Sequence, residues 1–314
     1  MSASITIIAT TAMGLESVLA REIKQLGYET VRVLNGKVEF DGQLYDICRS
    51  NIWLRTAGRI YVKLGTFTAR TFDALFEQTK QLDWQDWIQV RDCFPVTQVT
   101  SRKSALFSKS DCQRLVKKAI VEKLRQAHKV QHLEETGATV PVRIQIENDV
   151  VTLSIDTSGT GLNKRGYRVS SGPAPLRETL AAGLVLLSRW RPHEDVLMDP
   201  FCGSGVIVLE ALNRHMHVLG SDKSERAVKG CTKNVTWLRA KQKTPKSISH
   251  KIWKHNALRP ADFSQQPTLI VTETSLGPAL KKPPTKKEVG TLLREDRKST
   301  RLNSSHQIIS YAVF

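Results

Sequence analysis

The sequence lacks paired cysteines, long apolar runs and an N-terminal leader pattern. Its five cysteines are widely spaced, without a CxxC pair, which argues for reduced thiols and against a zinc site or a disulfide framework. The longest apolar run, LAAGLVLL at residues 180–187, is far shorter than a membrane span, and ITIIAT near the N-terminus is too short for a signal peptide. The histidines show no metal-ligand spacing. We therefore expect a soluble cytoplasmic protein with no membrane partner and no metal.

Acidic residues are scarce relative to basic ones. The 314 residues include 47 Lys and Arg against 30 Asp and Glu, a net charge of +17. Such an excess favours a polyanionic partner, most commonly a nucleic acid, although a basic surface can also serve solubility alone. The chain is long enough for two or three domains, and its 40% of hydrophobic residues argues against wholesale disorder. We expect the six tryptophans to be core residues rather than platforms for bases.

Two kinds of pattern follow each other along the chain. The first part predicts a strand SITIIAT, a helix GLESVLAREIKQLG, a hairpin TVRVLNGKVEF around Asn-Gly, and further strands and helices that end with VRIQIEND and VVTLSIDTSG. A boundary segment, TGLNKRGYRVSSGPAPLRE, is rich in glycine, proline and arginine. Beyond it, strands alternate with helices, which predicts an α/β domain with a parallel sheet covered on both faces.

Basic side chains concentrate in two places. A helix that starts at Ser110 or Asp111 and reaches about residue 129 has lysines and arginines around an apolar stripe. The boundary segment contains a second basic group, KRGYR. A charged helix face is often only solvated, so RNA contact is one of two interpretations. The candidate RNA contacts are Arg114, Lys117, Lys118, Lys164, Arg165 and Arg168.

The stretch VLMDPFCGSG, residues 196–205, predicts a strand, a tight glycine turn and a helix start. A phosphate-binding P-loop is excluded because GxxxxGK[ST] is absent, and the third glycine of a dinucleotide fingerprint is replaced by Val208. Asp222 ends the next predicted strand, where a carboxylate can accept ribose hydroxyls. These features favour an adenosine ligand without a pyrophosphate, such as S-adenosylmethionine. A purely structural turn and a NAD-dependent oxidoreductase are the alternatives.

A family resemblance extends this interpretation. DPFCGSGVIVLEAL resembles motif I of class I methyltransferases, in the form typical of RNA guanine-N2 methyltransferases. ATTAMGLESVLAREIKQLGYE, NIWLRTAGRIYVKLGTF, LFSKSDCQRLVKKAIVEKL, LSIDTSGTGLNKRGYR and APLRETLAAGLVLLSRW resemble the bacterial THUMP-domain enzymes that modify guanine in large-subunit ribosomal RNA. The resemblance covers residues 1 to about 240. It implies a ferredoxin-like region at 1–64, an RNA-binding THUMP domain at 65–160, a linker at 161–175 and an incomplete Rossmann-like methyltransferase domain at 176–295.

The resemblance also implies an activity and a cofactor site. The activity is S-adenosylmethionine-dependent methylation of guanine N2 in 23S ribosomal RNA. Asp222 would bind the cofactor ribose, and Asn256, where the family usually has aspartate, would meet the adenine amino group. The residues implied to bind the methionine portion are Asp199, Pro200, Gly203 and Gly205.

The implied catalytic segment departs from the family pattern. Family members end their fourth strand with [DN]PPY, and VTETSLGPAL stands here instead. The resemblance aligns Glu273 with the acceptor Asp or Asn, Thr274 with a proline, and Leu276 with the aromatic residue that stacks on the flipped base. Glu273 can accept hydrogen bonds, but Leu276 cannot stack as a ring does. A similar TE-x-x-LGP form among relatives of the tRNA guanine-N2 enzymes leaves open a tRNA substrate, and a catalytically inactive RNA-binding or assembly protein is the other alternative.

The C-terminal tail, residues 296–314, resembles translated sequencing adapter. One reading frame of a common library adapter gives DRKSTRLNSSH and, after its index, ISYAVF. We therefore expect a truncated N-terminal portion of a longer enzyme, whose own activity is uncertain from the sequence. The fourth methyltransferase strand would then be left as an unprotected edge. No oligomeric state is predicted.

Overall fold

A computed structural model describes residues 4–172, 175–191, 194–242, 245, 247–257, 259, 263, 265–273 and, for the backbone, 307–310. The chain divides into two compact units, Met1–Leu162 and Asn163–Phe314. The first unit is α+β and the second is α/β, as expected from the change in pattern.

The first unit contains one seven-stranded sheet in the order β2-β3-β1-β4-β7-β6-β5. Its strands are β1 (Ile5–Thr10), β2 (Val31–Leu34), β3 (Lys37–Gly42), β4 (Arg59–Thr68), β5 (Val96–Arg102), β6 (Val142–Glu147) and β7 (Val150–Asp156). Its helices are α1 (Glu16–Gln25), α2 (Leu44–Trp53), α3 (Phe72–Gln81) and α4 (Lys109–His128), with a short 3-10 turn at Trp84–Asp86. Strand β4 pairs with β1 on one side and β7 on the other. The regions expected to be a ferredoxin-like domain and a THUMP domain therefore share one sheet, because β4 spans the boundary placed at residue 64.

Local sequence signals explain several of these elements. The hairpin predicted around Asn-Gly is confirmed, since Leu34 pairs with Lys37 and Gly36 has a φ of +69°, in the left-handed region that favours glycine. The basic helix begins earlier than expected. Its N-cap is Ser108, whose hydroxyl accepts a hydrogen bond from the Asp111 backbone, rather than Ser110 or Asp111.

Helix α2 has an unusual orientation, with polar side chains inward. Asp46 and Ser50 are buried, and Asp46 accepts hydrogen bonds from the Tyr28 hydroxyl at 2.5 Å and from the Gln43 amide at 2.7 Å. Trp53, on the outer side, is 61% exposed. The expectation that every tryptophan lies in the core is therefore wrong for Trp53.

The second unit contains a five-stranded, fully parallel sheet in the order β10-β9-β8-β11-β12. Its strands are β8 (Val196–Asp199), β9 (His217–Asp222), β10 (His250–Lys254), β11 (Leu269–Thr272) and β12 (Gln307–Ser310). Its helices are α5 (Glu178–Leu187), α6 (Val206–Leu212) and α7 (Glu225–Lys241). Alternate strand residues point to opposite faces: Leu197 packs with these three helices, and Met198 packs with Trp253 and Phe263 on the other side. The predicted parallel sheet is confirmed. Helices were predicted on both of its faces, whereas the three helices in the described ranges all pack on one face.

Strand β11 is not an edge strand in the described residues. It pairs with β8 on one side and, through Leu269–Thr272 opposite Gln307–Ser310, with β12 on the other. The expectation of an unprotected edge was therefore wrong, because the tail segment QIIS supplies a strand. Its two isoleucines are β-branched, a residue type that favours strands.

Candidate active site

The candidate site lies where three parallel strands end. The chain runs from β8 to β9 and β10 in one direction, and β11 returns to the opposite side of β8. Such a reversal opens a crevice at the carboxyl ends of the strands, where α/β proteins bind ligands. Asp199, Asp222 and Thr272 occupy those ends, and Glu273 follows directly.

A glycine turn forms one wall of this crevice. Gly203 and Gly205 have φ values of +52° and +87°, in the left-handed region that favours glycine. A Cβ added at Gly203 would meet no atom within 4 Å, so this glycine leaves open space above the turn. A Cβ at Gly205 would instead overlap the sulfur of Cys231 on α7. Pro200 is buried at the start of the turn.

Asp222 connects the turn to the neighbouring strand. One carboxylate oxygen accepts the Gly203 amide at 3.0 Å, and the other accepts the Ser224 amide at 2.8 Å. The Asp222 carbonyl accepts the His255 amide at 3.0 Å, which brings the segment after β10 alongside. Asn256 is the next residue and is exposed at this edge. The two positions predicted to bind ribose and adenine are thus neighbours.

Asp199 is a buried carboxyl group at the end of β8. It is 2% exposed and accepts hydrogen bonds from the Thr272 hydroxyl at 2.6 Å and the Phe201 amide at 3.2 Å. Burial raises its pKa to about 7; the two hydrogen bonds oppose the shift, and the negative charges of Asp222 and Glu273 add to it. Asp199 therefore gains and loses its proton much closer to neutral pH than an ordinary aspartate does.

Of the three predicted catalytic residues, only Glu273 lies within the described part of the chain. Glu273 is half-buried, and burial raises the pKa of its carboxyl group. It borders the same cavity as Asp199. Thr274 and Leu276 lie outside the described residues.

A cavity of about 220 Å³ joins these groups. The turn forms one wall, and the residues before α5, including Gly172 and Leu176, form another. The sequence analysis did not identify Leu176 and Phe201, which line the cavity, or Thr272, whose hydroxyl donates to Asp199. Phe201 lies inside DPFCGSG and Thr272 directly precedes Glu273. Both could therefore have been predicted from their position next to proposed site residues.

The candidate RNA contacts on α4 fall into two groups. Arg114 and Lys118 are 79% and 68% exposed and pair with Asp111 and Glu122 on their own helix; Lys118 also lies 5.5 Å from the centre of the Phe76 ring on α3. Lys117 is engaged internally: its ammonium contacts Glu135 at 2.7 Å and lies 3.3 Å from the centre of the Phe94 ring. Arg114 and Lys118 are therefore the more accessible positions.

The candidates near the unit boundary also differ. Lys164 is exposed and Arg165 is half-buried. Arg168 forms an ion pair with Glu178 at 2.7 Å and donates to the Leu176 carbonyl at 3.3 Å. Tyr167 is buried in the core of the second unit, and its hydroxyl donates to Glu210. Part of the segment predicted to be a linker thus packs into the second unit.

None of the helices in the described residues is long and apolar enough to cross a membrane. The same residues contain no cluster of three or more His, Cys, Asp or Glu side chains suited to hold a metal ion.

Known proteins match this chain throughout its length. Family models match an RlmL ferredoxin-like domain at residues 6–61, a THUMP domain at 69–156 and an RMKL-like methyltransferase domain at 165–295. The chain is similar to a solved structure from Listeria monocytogenes, described as a predicted N6-adenine-specific DNA methylase, with 32% identity and a TM-score of 0.83. That similarity covers 98% of this chain and 88% of the other. The chain belongs to the THUMP-domain methyltransferase family.

Other members of the family carry more specific names. YpsC of Bacillus subtilis, whose name proposes an RNA methyltransferase, is 53% identical over 208 residues, 66% of this chain and 53% of YpsC. The ribosomal RNA large subunit methyltransferase K/L of Desulfotalea psychrophila is 32% identical over 66% of this chain and 29% of its own length. SMU.472, crystallised with S-adenosylhomocysteine, has 28% identity and a TM-score of 0.85 over 99% of this chain and 90% of its own. This chain therefore spans about half of YpsC and less than a third of the K/L protein.

Proposed function

We propose that this chain takes part in S-adenosylmethionine-dependent methylation of guanine N2 in RNA, with 23S ribosomal RNA as the substrate. The observation that supports this most directly is the placement of Asp199, Asp222 and Glu273 around one glycine turn at the strand ends. The name of the D. psychrophila relative supports ribosomal RNA, and the matched THUMP domain supports RNA as the partner.

The residues fit an adenosine ligand that carries positive charge. Gly203 leaves the space above the turn free of a side chain, where a ligand can approach the backbone. Asp222 would accept the ribose hydroxyls, and Asn256 would meet the adenine amino group. Asp199, with Pro200, Gly203 and Gly205, would border the methionine portion. A buried carboxyl group such as Asp199 suits a site that receives a cation, because the cation offsets the cost of ionising it.

The proposed chemistry requires an acceptor for the guanine amine. S-adenosylmethionine supplies a methyl group made electrophilic by the adjacent sulfonium. The lone pair of an aryl amine is delocalised into the ring, so an acceptor must hold the amine in the orientation for in-line attack. Glu273 would accept a hydrogen bond from N2 through a carboxylate oxygen and take its proton as the methyl group transfers. Its raised pKa suits a proton acceptor. The base must leave its stack to reach Glu273.

A methylation assay with isotopically labelled cofactor tests the proposal. We expect label in 23S ribosomal RNA fragments, recovered as N2-methylguanosine by mass spectrometry, and none in the same RNA with inosine at the target, since inosine lacks the N2 amine. Glu273→Gln keeps an acceptor but not a base, and we expect a loss of about 100-fold in kcat.

The other outcomes separate the alternatives. Label in tRNA alone would reject the ribosomal substrate, and methylated adenine or labelled DNA would reject guanine N2. Tight RNA binding without transfer by any RNA would favour a catalytically inactive binding or assembly protein.

A further inference from the structure

The second unit contains a larger cavity that the proposed chemistry does not use. It measures about 690 Å³ and lies between the first half of α7 and Ser170. Three basic side chains, Arg226, Lys229 and Lys233, line it from one face of the helix. Thr232 and Ser170 add hydroxyl groups.

Most of the positive charge in this cavity is uncompensated. Lys229 pairs with Glu225 at 2.9 Å, and Glu225 also lies 3.8 Å from Lys254. Arg226 and Lys233 are exposed and have no ion-pair or hydrogen-bond partner among the described residues. The cavity therefore offers two unneutralised cations on a concave surface, a setting that concentrates anions.

The walls of this cavity are held together by buried contacts. The Asn234 side chain is fully buried; it accepts the Ser170 amide at 2.8 Å and donates to the Ser170 carbonyl at 2.7 Å. The same amide group donates to the Ser204 carbonyl at 2.9 Å. Gly230 permits the close approach, because a Cβ there would lie 3.1 Å from the Ser170 hydroxyl oxygen. The cavity is thus part of the packed structure rather than a chance arrangement of long side chains.

The same contacts place the cavity beside the candidate active site. Ser204 belongs to the glycine turn and borders the 220 Å³ cavity. Gly172, two residues after Ser170, borders it as well. No residue lines both cavities, but Asn234 links them, because its side chain bonds to Ser170 in one lining and to Ser204 in the other.

We propose that the α7 cavity binds backbone phosphates of the RNA substrate next to the nucleotide that enters the active site. Arg, Lys, Ser and Thr side chains are the groups that contact nucleic-acid phosphates, and such contacts position the strand without reading its sequence. A base that leaves its stack keeps its flanking phosphates outside the pocket, within reach of a basic cavity beside it. This inference rests on the proposed function and adds the surface that holds the strand.

The test compares two double variants of the full chain. Arg226→Ala/Lys233→Ala removes both unneutralised cations of the α7 cavity. Arg21→Ala/Lys24→Ala is the matched control: it removes one exposed Arg and one exposed Lys from α1, three positions apart. Binding of a 23S ribosomal RNA fragment is measured by filter binding over a range of salt concentrations. S-adenosylhomocysteine affinity, measured by calorimetry, reports whether the second unit stays folded.

We expect the α7 variant to weaken RNA binding about tenfold and to reduce the magnitude of the slope of log K against log salt by about 1.4 to 1.8, the range for two lost phosphate contacts on a single strand or a duplex. Cofactor affinity should stay within about twofold, and the control should change RNA affinity by less than about twofold.

Equal RNA affinity in the α7 variant and the unchanged chain would overturn the inference, as would an equal loss in the control. Unchanged RNA affinity in the α7 variant is also the result expected if the cavity binds an acidic protein instead of RNA. Methyl transfer that persists with unchanged RNA affinity would defeat this inference alone. RNA binding that depends on the cavity, without any methyl transfer, would defeat the proposed function alone, and an unchanged chain that binds no RNA would defeat both.

Discussion

The backbone amide of Gly203 donates a 3.0 Å hydrogen bond to the carboxylate of Asp222, so one side chain both closes the glycine turn and stands at the proposed ribose position. Hydrogen bonds to a charged acceptor contribute about 1.5–3 kcal/mol each. We expect Asp222→Ala to weaken S-adenosylhomocysteine binding at least tenfold, and Asp222→Asn, which keeps one acceptor oxygen, to weaken it less. Isothermal titration calorimetry measures both. Equal losses in the two variants would argue that the hydrogen bond to Gly203 is not what orders the site.

Replacing each of the two turn glycines by alanine should affect the protein differently. Gly205→Ala places a Cβ against the Cys231 sulfur and forces a φ of +87° on an L-residue, so it should lower the unfolding free energy by about 2 kcal/mol or more. Gly203→Ala meets no atom and should cost about 1 kcal/mol of strain. Because Gly203 lines the 220 Å³ cavity proposed to hold the cofactor, this variant should still weaken ligand binding. Urea denaturation and calorimetry together separate these effects.

A double variant isolates the steric part of the Gly205 effect. Gly205→Ala/Cys231→Ala removes the overlapping sulfur but keeps the backbone strain. We expect it to be more stable than the sum of the two single variants. Simple additivity would show that the strain at residue 205, and not the contact with Cys231, is responsible.

Cofactor binding should depend on pH through Asp199. Its pKa is raised from 3.8 to about 7, so it is mainly protonated at pH 6 and mainly ionised at pH 8. A ligand with a cationic amino group favours the ionised form, and its binding therefore releases a proton and strengthens as pH rises to about 8. We expect S-adenosylhomocysteine affinity to increase several-fold from pH 6 to pH 8. Methylthioadenosine, which lacks the amino acid portion, and Asp199→Asn serve as controls and should show little change.

The same shift predicts an opposite effect on folding. The folded state holds the Asp199 proton more tightly than the unfolded chain does. Its contribution to stability is therefore present at low pH and is lost as pH rises from 3.8 towards about 7. Comparing urea denaturation of the unchanged chain and Asp199→Asn at pH 5 and pH 8 measures this. A difference in unfolding free energy that does not change with pH would contradict it.

We expect Arg168 to contribute to the stability of the folded protein rather than to RNA binding. Its ion pair with Glu178 is largely buried, with side-chain exposures of 19% and 4%. Removing one partner of a buried pair leaves an uncompensated charge and costs about 3 kcal/mol or more. We expect Arg168→Ala to lower the melting temperature markedly, whereas Lys164→Ala, at an exposed position four residues earlier, should not. A stable Arg168→Ala protein with weakened RNA binding would instead support the RNA-contact interpretation.

Local sequence patterns predicted much of the fold and the glycine turn at the centre of the candidate site. The Asn-Gly hairpin, the alternation after residue 176 and the glycines after Asp199 each depend on a few neighbouring residues, so the sequence displays them directly. The N-cap of α4 was misplaced because Ser108, Ser110 and Asp111 all favour that role. Trp53 was misjudged because residue type indicates only average burial, whereas α2 buries Asp46 and Ser50 and leaves Trp53 exposed on its outer side.

The sequence by itself determined that a strand, a tight glycine turn and a helix would follow one another after residue 196, and that the chain would be strongly basic. Only the tertiary structure decided that β8 and β11 lie side by side, so that Thr272 reaches Asp199, and that Asn234 joins Ser170 to the turn. The contacts of Thr272 with Asp199 and of Asn234 with Ser170 each connect residues more than 60 positions apart. Their formation depends on strand order and packing, which no local pattern encodes.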